Sequence, residues 1–201
     1  MTKSLTLYAD YRSPFSYLAK DEAYALEKEL GVTIAWRPFA VDIESAYGGT
    51  VEERTERDWR KVRYSYMDAR RLANRRGLIV RGPQKIYNGN NVHIGMLHAQ
   101  RAGNDVFRRY HDEVYERFWC RDLEIEDLTA VRDVLVKAGA DGAAYEDLVR
   151  SGEGLREYTQ VVAEAEERGV FGVPTFVVDE TGELFWGTDR LWLLREWLEK
   201  T

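Results

Sequence analysis

Near the amino end, Leu5-Thr-Leu-Tyr-Ala-Asp-Tyr11 alternates apolar and polar positions, the period-2 pattern of a half-buried strand. Ser13-Pro14 follows, an N-cap residue ahead of a proline suited to the first helical position. The spacing then predicts a helix from Pro14 to about Leu30, with Phe15, Leu18, Ala23 or Leu26, and Leu30 on its apolar face and Gly31 as its stop. Val32-Thr-Ile-Ala-Trp-Arg-Pro-Phe39 reads as a second strand. Strand, helix and strand in this order ask for a parallel pair with a crossover.

From Ala40 to about Gly154 the period becomes helical, over Val51–Arg76, Val92–Arg101, Asp105–Phe118, Leu128–Ala138 and Ala143–Val149, with joints such as AGADG and SGEG between. A further helix is expected over Leu155–Arg168. TFVVD and ELFWG then read as strands joined by a short ETG turn, hence a hairpin. The last helix, Asp189–Lys200, turns Leu191, Leu194, Trp197 and Leu198 inward. This order predicts an α/β thioredoxin-like fold carrying an inserted all-helical domain. Residues 1–40 and 155–201 would form the discontinuous sheet domain and 41–154 the helical insertion. No internal repeat or low-complexity run interrupts it.

Composition narrows the class. With 44% hydrophobic and 32% charged residues, the 201-residue chain has the balance of a folded globular protein. The first residues lack an apolar run of signal-peptide length, and the single cysteine, Cys120, cannot form an internal disulfide; both favour a cytoplasmic protein. A net charge of −6 argues against generic nucleic-acid binding. The charge is uneven, with nine Lys or Arg against five acids from Val51 to Gly77. That stretch is either a salt-bridged helix face or a local anion site. Asp42 and Glu44, after the second strand, would oppose a bound anion unless both turn outward.

Several residues are candidates for chemistry. In a thioredoxin arrangement, Ser13 and Ser16 stand where two cysteines would sit, at the positive end of the first helix. A hydroxyl cannot exchange disulfides, but it can donate a hydrogen bond to a thiolate supplied by another molecule. Ser13 is equally an ordinary helix cap. Val173-Pro174, just before a strand, is where a cis peptide bond is expected in such a fold, leaving the Val173 backbone able to pair with an extended peptide. Thr188 and Asp189 open the last helix, as caps or as partners of an ammonium group. Lys61, Tyr64, Asp68 and Arg71 share one helix face, from which Lys61 can reach an anionic ligand.

The remaining candidates have plainer readings. His93, His98 and His111 lack metal-ligand spacing, so no metal site is predicted; His93 and His98 read as helix-end or surface groups, one of them able to face a substrate cavity. Asn90 or Asn91 can cap a helix beginning near Val92. Cys120 and the tryptophans at 59, 119, 186, 192 and 197 read as packing or interface residues.

Taken together, YADYRSPFSYLA, KVRYSYMDARRLANRRG, GVFGVPTFVVD and LFWGTDR resemble the glutathione-dependent 2-hydroxychromene-2-carboxylate isomerases and kappa-class glutathione transferases, relatives of DsbA-type disulfide oxidoreductases. The resemblance spans nearly the whole chain. It implies a homodimer that uses glutathione as cofactor on small aromatic-derived substrates, with no membrane or nucleic-acid partner. It further implies that Ser13 holds and activates the glutathione sulfur, that Val173 beside cis-Pro174 binds its cysteinyl backbone, and that Thr188 and Asp189 take its γ-glutamyl end. Isomerase, glutathione transferase or peroxidase, and a non-catalytic peptide-binding groove all remain open. A disulfide oxidoreductase is disfavoured by Ser-Pro-Phe-Ser and the single Cys120.

Overall fold

The computed structural model describes residues 3–47 and 49–200, so positions 1, 2 and 201 of the expected domain bounds lie outside it. In chain order the elements are β1 (Ser4–Ala9), α1 (Pro14–Leu30), β2 (Thr33–Pro38), α2 (Ile43–Tyr47), α3 (Glu56–Arg75), α4 (Asn90–Arg101), α5 (Asn104–Trp119), α6 (Leu128–Ala138), α7 (Gly142–Arg150), α8 (Glu153–Glu167), β3 (Thr175–Val178) and β4 (Leu184–Trp186). A 3-10 turn, Thr188–Arg190, leads into α9 (Leu191–Lys200).

The strands form one sheet in the order β2-β1-β3-β4. β1 and β2 run parallel, with Leu7 opposite Trp36, while β3 pairs antiparallel with both β1 and β4. This is a thioredoxin-like mixed sheet, with α3–α7 inserted between β2 and β3.

β1 differs from the half-buried strand its alternation suggests. Leu5 and Leu7 do enter the main core, but Thr6 and Tyr8 on the opposite face are buried as well. The reason is its central place in the sheet. Tyr8 packs with Ala165 of α8 and Phe39, and Thr6 donates to Asp179 at 2.7 Å and accepts from Arg168 at 3.1 Å. β2, by contrast, is an edge strand and keeps a strict alternation, burying Ile34, Trp36 and Pro38.

Boundaries shift where caps decide them. α3 begins at Glu56 and not near Val51, because Thr55 and Asp58 form a reciprocal capping box. α4 begins at Asn90, two residues earlier than expected. Neither Asn90 nor Asn91 caps it; Asn88 Oδ1 accepts the Asn90 N–H at 2.8 Å, and the Asn91 side chain donates to the Glu126 carbonyl. Asp189 lies in the 3-10 turn, not in α9 itself.

The main core runs without a break from the sheet into the insertion. Trp36 of β2 packs its ring 4.5 Å from His111 of α5, and Tyr11 donates to or accepts from His111 Nδ1 at 2.9 Å. His93 and His98, expected at helix ends or on the surface, are buried, as is His111. Burial pushes the His111 pKa well down, so its ring is neutral. Among the described residues, no helix is long and apolar enough to cross a membrane.

Candidate functional site

The β1–α1 junction is built by local chemistry. Ser13 has extended backbone angles and caps α1, its Oγ accepting the Ser16 N–H at 3.2 Å, while Pro14 takes the first turn. The Ser13 N–H donates to the Asp10 carbonyl at 3.0 Å, closing a tight turn over Asp10-Tyr11-Arg12. The two serines then part company. Ser16 is buried and its Oγ accepts from the Asp10 N–H, whereas Ser13 opens onto a cavity.

That cavity has a volume of about 450 Å³. On one side stand Arg12, Ser13 and Phe15; on the other, the loop Phe171-Gly172-Val173 and Trp186 of β4. The Val173–Pro174 bond is cis, as expected. Val173 N–H and C=O make no backbone hydrogen bond among the described residues, and Val173 lines the same cavity as Ser13. Phe171 and Trp186 are 65% and 52% exposed with ring centroids 5.0 Å apart, forming an aromatic lip.

Gly172 lets that lip form. A Cβ there would stand 2.7 Å from Trp186 Nε1, so the indole lies directly on backbone. Across the opening, Val41, Ile43 and Ala46 supply the cavity wall after β2, and the exposed Asp42 and Glu44 turn outward. Neither Asp42 nor Glu44 lines this cavity.

Beneath Ser13 lies a buried ion pair that pattern reading missed. Arg12 donates through Nε to Asp10 Oδ1 at 3.1 Å and through Nη2 to Oδ2 at 2.8 Å, and the Arg12 N–H adds a 2.8 Å bond. His93 Nε2 stands 3.2 Å from the same carboxylate. Burial would raise the Asp10 carboxyl, but Arg12 and His93 outweigh it and hold it well below the usual carboxylate range. Arg12 in turn stays charged, burial being offset by Asp10. The only hint in the sequence was an acid and a base flanking Tyr11 directly before Ser13.

A second cavity, also of about 450 Å³, adjoins the first and shares Arg12, Ile43 and Tyr66 with it. Trp59, Tyr87 and Phe118 line it, with Arg54 stacked 5.3 Å from the Trp59 ring.

Three expected site residues stand outside both walls. Lys61 is half exposed, its ammonium 3.7 Å from Asp58; α3 presents Trp59, Val62 and Tyr66 to the cavities instead. Thr188 and Asp189 follow Trp186 in the 3-10 turn, and Asp189 pairs with Arg190 at 2.6 Å without capping it. Cys120 lies in a separate depression beside Tyr17 and Asp112, its thiol pushed up by burial.

The model of the DSBA-like thioredoxin domain matches residues 4–199. The chain belongs to this family. Within it, this DsbA-family protein is 29% identical to the 2-hydroxychromene-2-carboxylate isomerase of Sphingobium xenophagum over 198 residues, covering 98% of this chain and 99% of the relative. It is 31% identical to that of Pseudomonas putida over 193 residues, covering 93% and 90%. A solved 2-hydroxychromene-2-carboxylate isomerase superposes with a TM-score of 0.80 at 28% identity, over 98% and 95% of the two chains. A probable DsbA oxidoreductase from Streptomyces coelicolor superposes at 0.76 with 19% identity over 98% and 89%, a likeness of fold alone. The DsbA-family protein is thus an enzyme related to these isomerases, with serine at both positions of the turn where a dithiol would sit.

Proposed function

We propose that the protein is a glutathione-dependent isomerase of the 2-hydroxychromene-2-carboxylate isomerase type, acting on small aromatic-derived substrates. One observation carries this reading: Ser13, at the N-terminus of α1, and Val173 beside cis-Pro174, whose backbone makes no hydrogen bond among the described residues, line one cavity. An extended tripeptide fits that pairing, since its cysteinyl backbone can bond the Val173 N–H and C=O while its sulfur lies toward Ser13.

When bound, glutathione would supply a thiolate able to add reversibly to a conjugated carbon. Everything else is the work of this chain. Ser13 Oγ takes the Ser16 N–H as acceptor and is left to donate its own proton to a sulfur in the cavity. The partial positive charge of the α1 N-terminus favours an anion at the same place. Phe171 and Trp186 give the cavity an apolar rim beside the sulfur. In this reading Thr188 and Asp189 take the γ-glutamyl end, Asp189 exchanging Arg190 for an ammonium, and Lys61 takes a carboxylate from outside the wall. Neither serine can form a mixed disulfide, so the oxidoreductase chemistry of other members is not supported here.

The test is calorimetric titration of glutathione into wild type and Ser13→Ala near neutral pH. A hydrogen bond to a charged group is worth about 1.5–3 kcal/mol, so the affinity should fall by roughly tenfold or more. Absence of binding to the wild type would reject the reading. With 2-hydroxychromene-2-carboxylate as substrate, glutathione should be recovered unchanged; its stoichiometric consumption would make the enzyme a transferase.

A further inference from the structure

The wall between the two cavities carries a single charged side chain common to both, Arg12. Its position is held from several sides. Asp10 binds it through two guanidinium nitrogens, Nη1 donates to the Tyr87 carbonyl at 2.9 Å, and Nη2 makes a long 3.5 Å contact with the Val41 carbonyl. Gly89 completes the seat. A Cβ at that position would stand 2.8 Å from the His93 ring and 3.2 Å from Arg12 Nε, so a side chain there would push the His93 ring aside and crowd the guanidinium.

This arrangement has an orientation. Both Asp10 and Arg12 line the Ser13 cavity, but Arg12 alone of the two lines the second, so an ion pair of no net charge still presents its positive end to whatever occupies the second cavity. Nη1 keeps a second N–H beyond the one given to Tyr87. Around the second cavity, Arg54 and Lys85 outnumber the one carboxylate of the lining, Glu52, and the ammonium of Lys85 is itself tied to Glu126. The remaining wall is aromatic and aliphatic. Its volume falls in the range of roughly 300–1,000 Å³ common for small-ligand sites.

We propose that Arg12 determines specificity by seating the carboxylate of a small aromatic acid whose ring lies among Trp59, Tyr66, Tyr87 and Phe118. The carboxylate then sits at the partition, one residue from Ser13, and the conjugated chain next to it reaches into the Ser13 chamber. A neutral aromatic of the same shape gains the ring contacts but not the charge. The proposal rests on the reading of an aromatic-derived substrate given above, and needs no bound glutathione to be examined.

The experiment titrates salicylate and its uncharged counterpart salicylamide into the protein without glutathione, using wild type, Arg12→Lys and the double variant Arg12→Met with Asp10→Asn. The double variant removes both charges, so no buried carboxylate is left without its partner. Thermal unfolding checks that each variant is folded; if the double variant is not, Arg12→Lys decides, since it keeps a charge but loses the planar fork. Expected is salicylate affinity lower by about tenfold or more in the double variant and by several-fold in Arg12→Lys, with salicylamide unchanged in both. Equal salicylate affinity in all three proteins, no salicylate binding by wild type, or a matching loss of salicylamide would each overturn the proposal. Glutathione titration of the wild type succeeds or fails separately, so the two readings can fall independently.

Discussion

Ser13 uses one oxygen for two tasks, which makes the usual alanine test ambiguous. Its Oγ accepts the Ser16 N–H, so Ser13→Ala removes an N-cap worth about 1 kcal/mol along with the proposed sulfur contact. Ser13→Asp separates them. Aspartate caps as well as serine, so urea unfolding should show stability close to wild type, while a carboxylate facing a thiolate should abolish glutathione binding. Retained binding in Ser13→Asp would remove the sulfur from this position. Asp10 gives a second residue-scale expectation. Its folded pKa lies well below the unfolded value near 3.9, so its stabilising contribution is complete above that pH and declines as pH falls through and below it. Urea unfolding should therefore show wild type losing stability below about pH 4 relative to the Arg12→Met, Asp10→Asn variant, whichever of the two is the more stable at neutral pH. A wild-type stability that rose relative to the variant in acid would mean the carboxyl is not the ionised partner described here.

At the scale of elements, the cis-Pro loop and β4 act as one surface because the Trp186 indole rests on the Gly172 backbone. Gly172→Ala would force the ring away from the cavity. Tryptophan emission should shift and glutathione affinity fall, while far-UV circular dichroism stays the same; unchanged emission and affinity would show that the lip takes no part. Which of these elements could be read beforehand follows from how local their causes are. The limits of α1 needed only Ser13, Pro14 and Gly31, all within the element or beside it, and α6 likewise had Asp127 and Gly139 at its ends. The start of α4 was misplaced because Asn88, outside the apolar period, supplies the bonding oxygen. The burial of His93 and His111 was hidden altogether, since each is covered by residues distant in sequence: His93 by Tyr11 and Tyr158, His111 by Trp36 and Tyr11. The Asp10–Arg12 pair was invisible as a site for the same reason. Its cavity exists only once the loops at Val41 and Tyr87 close on it.

For the whole molecule, the division into a sheet domain and a helical insertion describes the chain path better than the energetics. The buried cluster holding Leu5, Leu7 and Phe176 of the sheet also holds Met96, Tyr110, Tyr115 and Trp119 of the insertion. Direct bonds cross the same boundary. The Gln100 side chain donates to the Trp36 carbonyl at 2.8 Å, and Lys20 of α1 pairs with Asp112 of α5 at 2.7 Å. Cutting the insertion free would expose one face of α4 and α5 to water, at about 25 cal/mol for every Å² of apolar surface uncovered. Against stabilities of about 5–15 kcal/mol for whole domains, neither part should stand alone. Urea denaturation followed by tryptophan emission and by far-UV circular dichroism should give coincident single transitions. A fragment spanning 41–154 should lack the narrow thermal transition of a packed core. Two separated transitions in the full chain, or a cooperatively melting fragment, would show instead that the insertion is an independent domain and that the Ser13 and aromatic cavities meet at a movable joint.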